Sequence, residues 1–146
     1  MNPIGFLRLH TSARIPTRAH PDDAGFDLHA VEAVELAPGT RAAIRCGFAI
    51  ALPPGSAGLV LPRSGLALRE GVTVLNAPGL IDAGYRGEVK VVLINHDPVE
   101  ACAIACGDRI AQLVIITLHH AEVVEQAVLS DTSRGADGFG STGRRL

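Results

Sequence analysis

Glycine and proline cut this chain into pieces too short for a helical bundle. Sixteen Gly and nine Pro are spread along its 146 residues, and most runs between them are strand-sized. Glycine supplies the backbone angles of tight turns, and proline ends helices and central strands. What lies between is 47% hydrophobic overall and dominated by Val, Ile, Leu and Ala, with 3% aromatics and no Trp. Many short β-branched runs separated by turn residues predict a single all-β domain with a real core, built as a sandwich or jelly roll.

The expected strands cover residues 6–9, 25–30, 34–36, 40–45, 48–52, 57–61, 72–75, 80–81, 88–95, 101–105 and 109–118. In 25–30, Phe26, Leu28 and Ala30 alternate with Asp27 and His29, which places the two sets on opposite faces. Residues 40–45 and 48–52 read as a hairpin across Cys46-Gly47. Residues 64–71 are the one expected helix, with Ser64 as N-cap and Gly71 as C-terminal stop. Residues 123–129 read equally well as a strand or a helical turn. From Ser130 the sequence is S-D-T-S-R-G-A-D-G-F-G-S-T-G-R-R-L. Phe139 and Leu146 are its only large apolar residues, too few to order it alone. The chain therefore divides into a body, 1–129, and a Gly-rich arm, 130–146.

Charge and cysteine usage exclude several classes. A formal net charge of −2 gives no basic footprint for a nucleic-acid polymer. No uninterrupted apolar run is long enough to span a membrane, and the N-terminus carries no signal-peptide pattern. Cys46, Cys102 and Cys106 are an odd number without ligand spacing, so free thiols and a cytoplasmic setting are expected.

Five segments carry unusual chemistry. In N-A-P-G-L-I-D-A-G-Y-R-G-E-V-K, from Asn76 to Lys90, turn residues meet Asp82, Tyr85 and Arg86. This predicts a β-hairpin with Gly84 at positive φ. Its tip would offer a carboxylate to activate water, a ring to stack and a cation for an anion. Arg63-Ser64-Gly65 places a guanidinium and a hydroxyl at the helix start. G-D-R-I-A-Q-L at 107–113 is a turn feeding a strand, with Gln112 as an amide donor. The acid Asp27 sits in A-G-F-D-L at 24–28. G-F-G-S-T-G at 138–143 matches G-x-G-x-x-G formally, but it lacks the following helix and downstream acid of a dinucleotide fold. What remains is a backbone and hydroxyl cradle for phosphate, beside Arg134.

Taken together and in order, these five segments resemble the signature motifs of the trimeric dUTP pyrophosphatase (dUTPase) family. The resemblance spans 24–143. It implies a distorted jelly roll and a homotrimer whose active sites are shared between subunits. It also implies Mg²⁺-dependent hydrolysis of dUTP to dUMP and pyrophosphate, which limits uracil incorporation into DNA and supplies dUMP for dTMP synthesis.

The same resemblance implies roles for single residues. Asp82 would activate the attacking water. Asp27 would hold the water shell of a Mg²⁺ carried mainly by the substrate phosphates. Arg63, Ser64, Gly65 and Gln112 would bind phosphates, with Gln112 near the α-phosphate. Asn76, Gly79, Leu80 and Ile81 would form the uracil pocket, and Tyr85 would pack on deoxyribose and exclude a 2′-hydroxyl. Lys90 would be a further substrate contact. In the arm, Phe139 would stack over uracil, while Arg134, Gly140, Ser141 and Thr142 would hold the γ-phosphate. The family's arm often has Gly where this chain has Asp137, whose charge is expected to weaken arm closure. The competing expectations are a dCTP deaminase or a bifunctional deaminase–dUTPase of the same fold, and a non-catalytic nucleotide sensor.

Overall fold

The computed structural model describes residues 3–138, and among these the all-β expectation holds. The strands are β1 (Gly5–Arg8), β2 (Phe26–His29), β3 (Val34–Leu36), β4 (Arg41–Arg45), β5 (Phe48–Ala51) and β6 (Ser56–Leu61). The helix α1 (Ser64–Glu70) follows, then β7 (Val72–Val74), β8 (Gly79–Asp82), β9 (Lys90–Asn95), β10 (Cys102–Ile104) and β11 (Arg109–Thr117). They form a four-stranded sheet in the order β2-β11-β6-β8, a three-stranded sheet β4-β9-β7, and the pairs β1-β5 and β3-β10. Every pairing is antiparallel. The result is a distorted jelly roll.

One core lies behind these sheets. Leu28, Leu36, Ile44, Phe48, Val72, Val91, Leu93 and Ile110 are all buried in it, so nearly every strand contributes a residue. Alternation does the sorting: along β9, Val91 and Leu93 point inward while Lys90 is exposed. Asn95 closes that strand and is fully buried. Its amide donates to the carbonyls of Leu36 (2.9 Å) and Glu100 (2.8 Å) and accepts the Asp97 N–H (2.8 Å). A buried amide so saturated ties β9 to β3 at little desolvation cost.

Cys46-Gly47 is not a hairpin turn. β4 pairs with β9, and β5 pairs with β1, so the chain changes sheets between them. Gly47 takes φ 71°, and a Cβ there would sit 2.7 Å from Val31 Cγ1. Its N–H donates to Glu88 Oε1 (3.0 Å), and its carbonyl accepts the N–H groups of Leu9 (2.8 Å) and His10 (2.9 Å). Cys46 is buried, which no hairpin tip would be, and burial pushes its thiol up to about 12.

Helix α1 also differs in detail. Arg63 occupies the N-cap with extended backbone and no side-chain cap, so Ser64 is the first helical residue. Gly71 stops the helix as expected, at φ 63°. None of the helix is fully buried, and the Cys102 thiol donates to Glu70 Oε2 (2.9 Å) beneath it. Residues 123–129 form neither strand nor helix. Val123, Val128 and Leu129 are exposed, and this stretch pairs with no strand among the described residues.

Candidate functional site

The motif residues gather in two clefts. The first has a volume of about 400 Å³ and is lined by Asp27, Arg63, Ser64, Gly65, Arg109 and Gln112, among others. Pro62 ends β6 and delivers Arg63 to its rim. Asp27 lies on β2 directly opposite Gln112 on β11. The Gln112 amide donates to the Pro62 carbonyl (3.0 Å), which locks the side chain across the end of β6. Gly25 leaves room for it, since a Cβ there would stand 2.8 Å from Gln112 Oε1.

Asp27 is the electrostatic centre of this cleft. Its side chain is 17% exposed, with Oδ1 3.6 Å from Arg63 Nε and Oδ2 3.2 Å from Arg109 Nη1. Arg63 Nη1 also donates to the Arg109 carbonyl (3.1 Å). Arg63 and Arg109 flank the Asp27 carboxylate and Asp23 also lines the wall, so the four formal charges cancel, and a polyanion would enter by exchanging these pairs rather than through a net positive field. Arg109 lies outside the site read from the sequence. The signal was the D-R pair inside G-D-R-I-A-Q-L, which reads equally as an ordinary salt-bridging turn.

The second cleft, of about 390 Å³, is lined by Leu80, Ile81, Asp82, Tyr85, Glu88, Val89 and Lys90. Asn76 and Gly79 line a smaller adjoining hollow together with Leu80, Ile81 and Lys90. The expected hairpin is absent. β8 pairs with β6 while β9 pairs with β4 and β7, so the strands flanking the turn belong to different sheets. Nor is Gly84 among the glycines at positive φ. The Tyr85 N–H closes the turn on the Asp82 carbonyl (3.0 Å), and a common four-residue turn needs no left-handed residue. Arg86 folds back to donate to the carbonyls of Ala83 (2.7 Å) and Tyr85 (2.8 Å). It braces the turn through Nη1 and makes no ion pair among the described residues.

Tyr85 is held by its neighbours. Its hydroxyl donates to the Glu88 carbonyl (3.0 Å), and a Cβ on Gly87 would lie 2.7 Å from Tyr85 Cζ. The Glu88 carboxylate pairs with Arg45 Nε (3.1 Å) and accepts the Gly47 N–H, so the second cleft is anchored to the sheet-changing corner. The sequence reading assigned Glu88 only to a strand. The Asp82 side chain, at the end of β8, is exposed, and its carboxylate makes no hydrogen bond or ion pair among the described residues.

The clefts share no lining residue. Along β6, Ala57 faces Asp82 and Leu61 faces Gln112. Four residues along one strand and two steps across the sheet put the backbones of Asp82 and Gln112 about 16 Å apart. Neither side chain closes that gap.

Among the described residues no group of three or more His, Cys, Asp or Glu could cage a metal. The donor set, with Asp27 central, suits a metal that arrives with phosphates rather than one the protein holds alone. In the arm, Arg134 Nε donates to the Asp137 carbonyl (2.9 Å), and Gly135 turns the chain at φ 53°. Phe139, Gly140, Ser141 and Thr142 lie outside the described residues.

The dUTPase family model matches residues 11–143. The chain is 58% identical over 140 residues to the deoxyuridine 5′-triphosphate nucleotidohydrolase of Thermobifida fusca, covering 96% of this chain and 78% of the relative. It is 52% identical over 143 residues to that of Nocardia farcinica, covering 98% and 87%. Among solved structures, a mutant Staphylococcus bacteriophage 80alpha dUTPase with dUpNHpp superposes with TM-score 0.92 at 29% identity, covering 98% of this chain and 99% of the other. A mutant dUTPase of phage phi11, described with a structural Mg(II) ion, gives 0.81 at 28% identity, covering 87% and 98%.

Proposed function

Because the chain belongs to the dUTPase family, we propose that its two clefts are two parts of one composite site for hydrolysing dUTP to dUMP and pyrophosphate. The reaction itself follows from the family. The division of labour below is our reading, carried by the cleft in which Arg63, Ser64, Gly65 and Gln112 gather around the paired Asp27.

The first cleft takes the phosphates. Arg63 supplies charge, Ser64 and Gly65 supply a hydroxyl and backbone donors, and Gln112 stands by the α-phosphate. The second takes the nucleoside. Asn76, Gly79, Leu80 and Ile81 read the uracil edge, and a cytosine amino group would leave polar groups there unpaired. The ring of Tyr85 covers the deoxyribose and excludes a 2′-hydroxyl. Lys90 adds a contact at the rim. Asp82 orients a water towards the α-phosphorus and accepts its proton as the P–O bond to pyrophosphate breaks.

Family metal use fits the first cleft. Mg²⁺ on the phosphates would neutralise charge developing on the leaving pyrophosphate. Asp27 is positioned to accept hydrogen bonds from that ion's waters. The arm, 130–146, would close over the site, with Phe139 on uracil and Arg134, Gly140, Ser141 and Thr142 around the γ-phosphate.

The gap of about 16 Å supports sites shared between subunits, in the homotrimer that the family implies, with the second cleft of one subunit facing the first cleft of another. The body of each subunit would be residues 1–129, with the arm reaching a neighbouring site. A free nucleotide pool as substrate suits a cytoplasmic location, and no helix among the described residues is long and apolar enough to cross a membrane.

The test is pyrophosphate release with Mg²⁺ from dUTP, dCTP, dTTP and UTP. Release from dUTP alone supports the assignment. Ammonia released from dCTP would move it to the deaminase branch, and dUTP binding without turnover would leave a sensor.

A further inference from the structure

We propose that Arg109 is a positioning residue for metal-loaded substrate: its guanidinium holds the Asp27 carboxylate in place when the phosphates draw Arg63 away. The inference begins with strand parity. Residues three apart on a regular strand point to opposite faces. Arg109 and Gln112 are three apart on β11, yet both line the first cleft. A register shift between Arg109 and Ala111 explains this: Arg109 faces His29, Ala111 faces Leu28, and Ile110 is the extra residue. The bulge returns Arg109 to the face it would otherwise leave. Ile110 itself is buried in the core, which fixes the bulge in place.

The two arginines then stand in different relations to Asp27. Arg109 makes the shorter contact, 3.2 Å against 3.6 Å for Arg63. Among the described residues the Arg63 guanidinium is anchored elsewhere by one bond to a main-chain carbonyl, and it stands beside Ser64 and Gly65 at the cleft wall. A triphosphate entering the cleft competes with Asp27 for Arg63. Without a second partner, Asp27 would then be a mostly buried, unpaired anion facing a polyanion, which is costly. Arg109 prevents that. It keeps the carboxylate oriented and available to the waters of the phosphate-bound metal. Because the carbonyl that receives Arg63 belongs to the Arg109 main chain, changing the Arg109 side chain leaves that bond in place.

This inference rests on Asp27 facing the metal's water shell, and the experiment separates the two. A non-hydrolysable dUTP analogue is titrated calorimetrically into trimeric enzyme, once with Mg²⁺ and once with EDTA. The wild-type ratio of the two affinities defines the metal-dependent gain. Arg109→Gln is expected to lose most of that gain while its affinity in EDTA stays within about threefold of wild type. Arg109→Lys keeps part of the gain, and it carries the test if Arg109→Gln proves unstable in a melting control. In the Asp27→Asn background, Arg109→Gln is expected to add nothing further. Equal weakening with and without metal would make Arg109 a direct phosphate ligand and overturn the proposal, as would an undiminished gain. An Asp27→Asn enzyme that keeps the whole gain would instead remove the metal reading of Asp27, and the Arg109 proposal with it.

Discussion

The two clefts differ in how their charges are held before anything binds. In the first, Asp27, Arg63, Arg109 and Gln112 are already committed to one another or to main-chain carbonyls. In the second, Asp82 has no partner among the described residues, while the ring of Tyr85 is locked by its hydroxyl and by Gly87. A pre-paired cleft suits ligands that replace internal ion pairs with stronger ones. An unpaired carboxylate on a braced turn suits a group whose partner is a water molecule. The contrast teaches that the pre-paired charges and the unpaired carboxylate sit on different parts of one sheet, so under the proposed function phosphate binding and chemistry should fail separately.

Asp82→Asn tests that separation most sharply. It is expected to lower kcat about a thousandfold, as loss of a general base does, while analogue affinity changes less than about threefold. A large loss of affinity would mean that the second cleft also carries binding charge. The composite site gives the next largest effect. Asp82→Asn and Arg63→Ala chains, each nearly inactive, are refolded as an equal mixture. About a quarter of wild-type activity should return, because each working site draws one intact cleft from each of two randomly chosen chains. No recovery would place both clefts of a site on one chain.

Gly87→Ala should sharpen the comparison from the sugar side. A methyl group there displaces the Tyr85 ring, so the preference for dUTP over UTP in kcat/KM should fall about tenfold with little loss of fold stability. Asp137→Gly should lower the KM for dUTP about twofold by removing a like charge near the triphosphate. An unchanged KM would show that Asp137 points away from the substrate.

The smallest effect concerns His29. Burial, and then the Arg14 guanidinium, hold its pKa below the usual 6.5. The unfolded chain takes up a proton near pH 6.5 that folded His29 resists, so the unfolded state gains as pH falls through that value. Stability is therefore full above pH 6.5 and declines below it. His29→Gln should flatten the fall in melting temperature on the acid side.

Much of this was legible in the sequence. Strand positions follow from turn residues and alternation, and both are local. Asp27, Arg63, Ser64, Gly65 and Gln112 were named by motif, and the fold brings them into one cleft. What escaped depends on partners distant in sequence. Cys46-Gly47 looks like a hairpin because nothing local tells that β4 will pair with β9. The turn at Asp82 looks like a hairpin tip for the same reason. Arg86 shows no structural role in the sequence until the carbonyls of its own turn are seen to accept its Nη1. Arg109 was hidden by parity, since a bulge one residue long reverses the face that alternation assigns.

The buried Asn95 has a consequence for how the molecule ages. Spontaneous deamidation of asparagine proceeds when the following main-chain nitrogen attacks the side-chain carbonyl carbon to form a succinimide ring. Here that nitrogen belongs to His96, and its N–H is bonded to the Gly71 carbonyl (2.9 Å). The amide itself is fixed by three hydrogen bonds and has no exposure to water. Ring closure would require β9 to come away from β3 and from the end of α1. The same contacts that join the sheets thus protect this amide from slow chemical damage, and its conversion to aspartate becomes a clock for opening of the core.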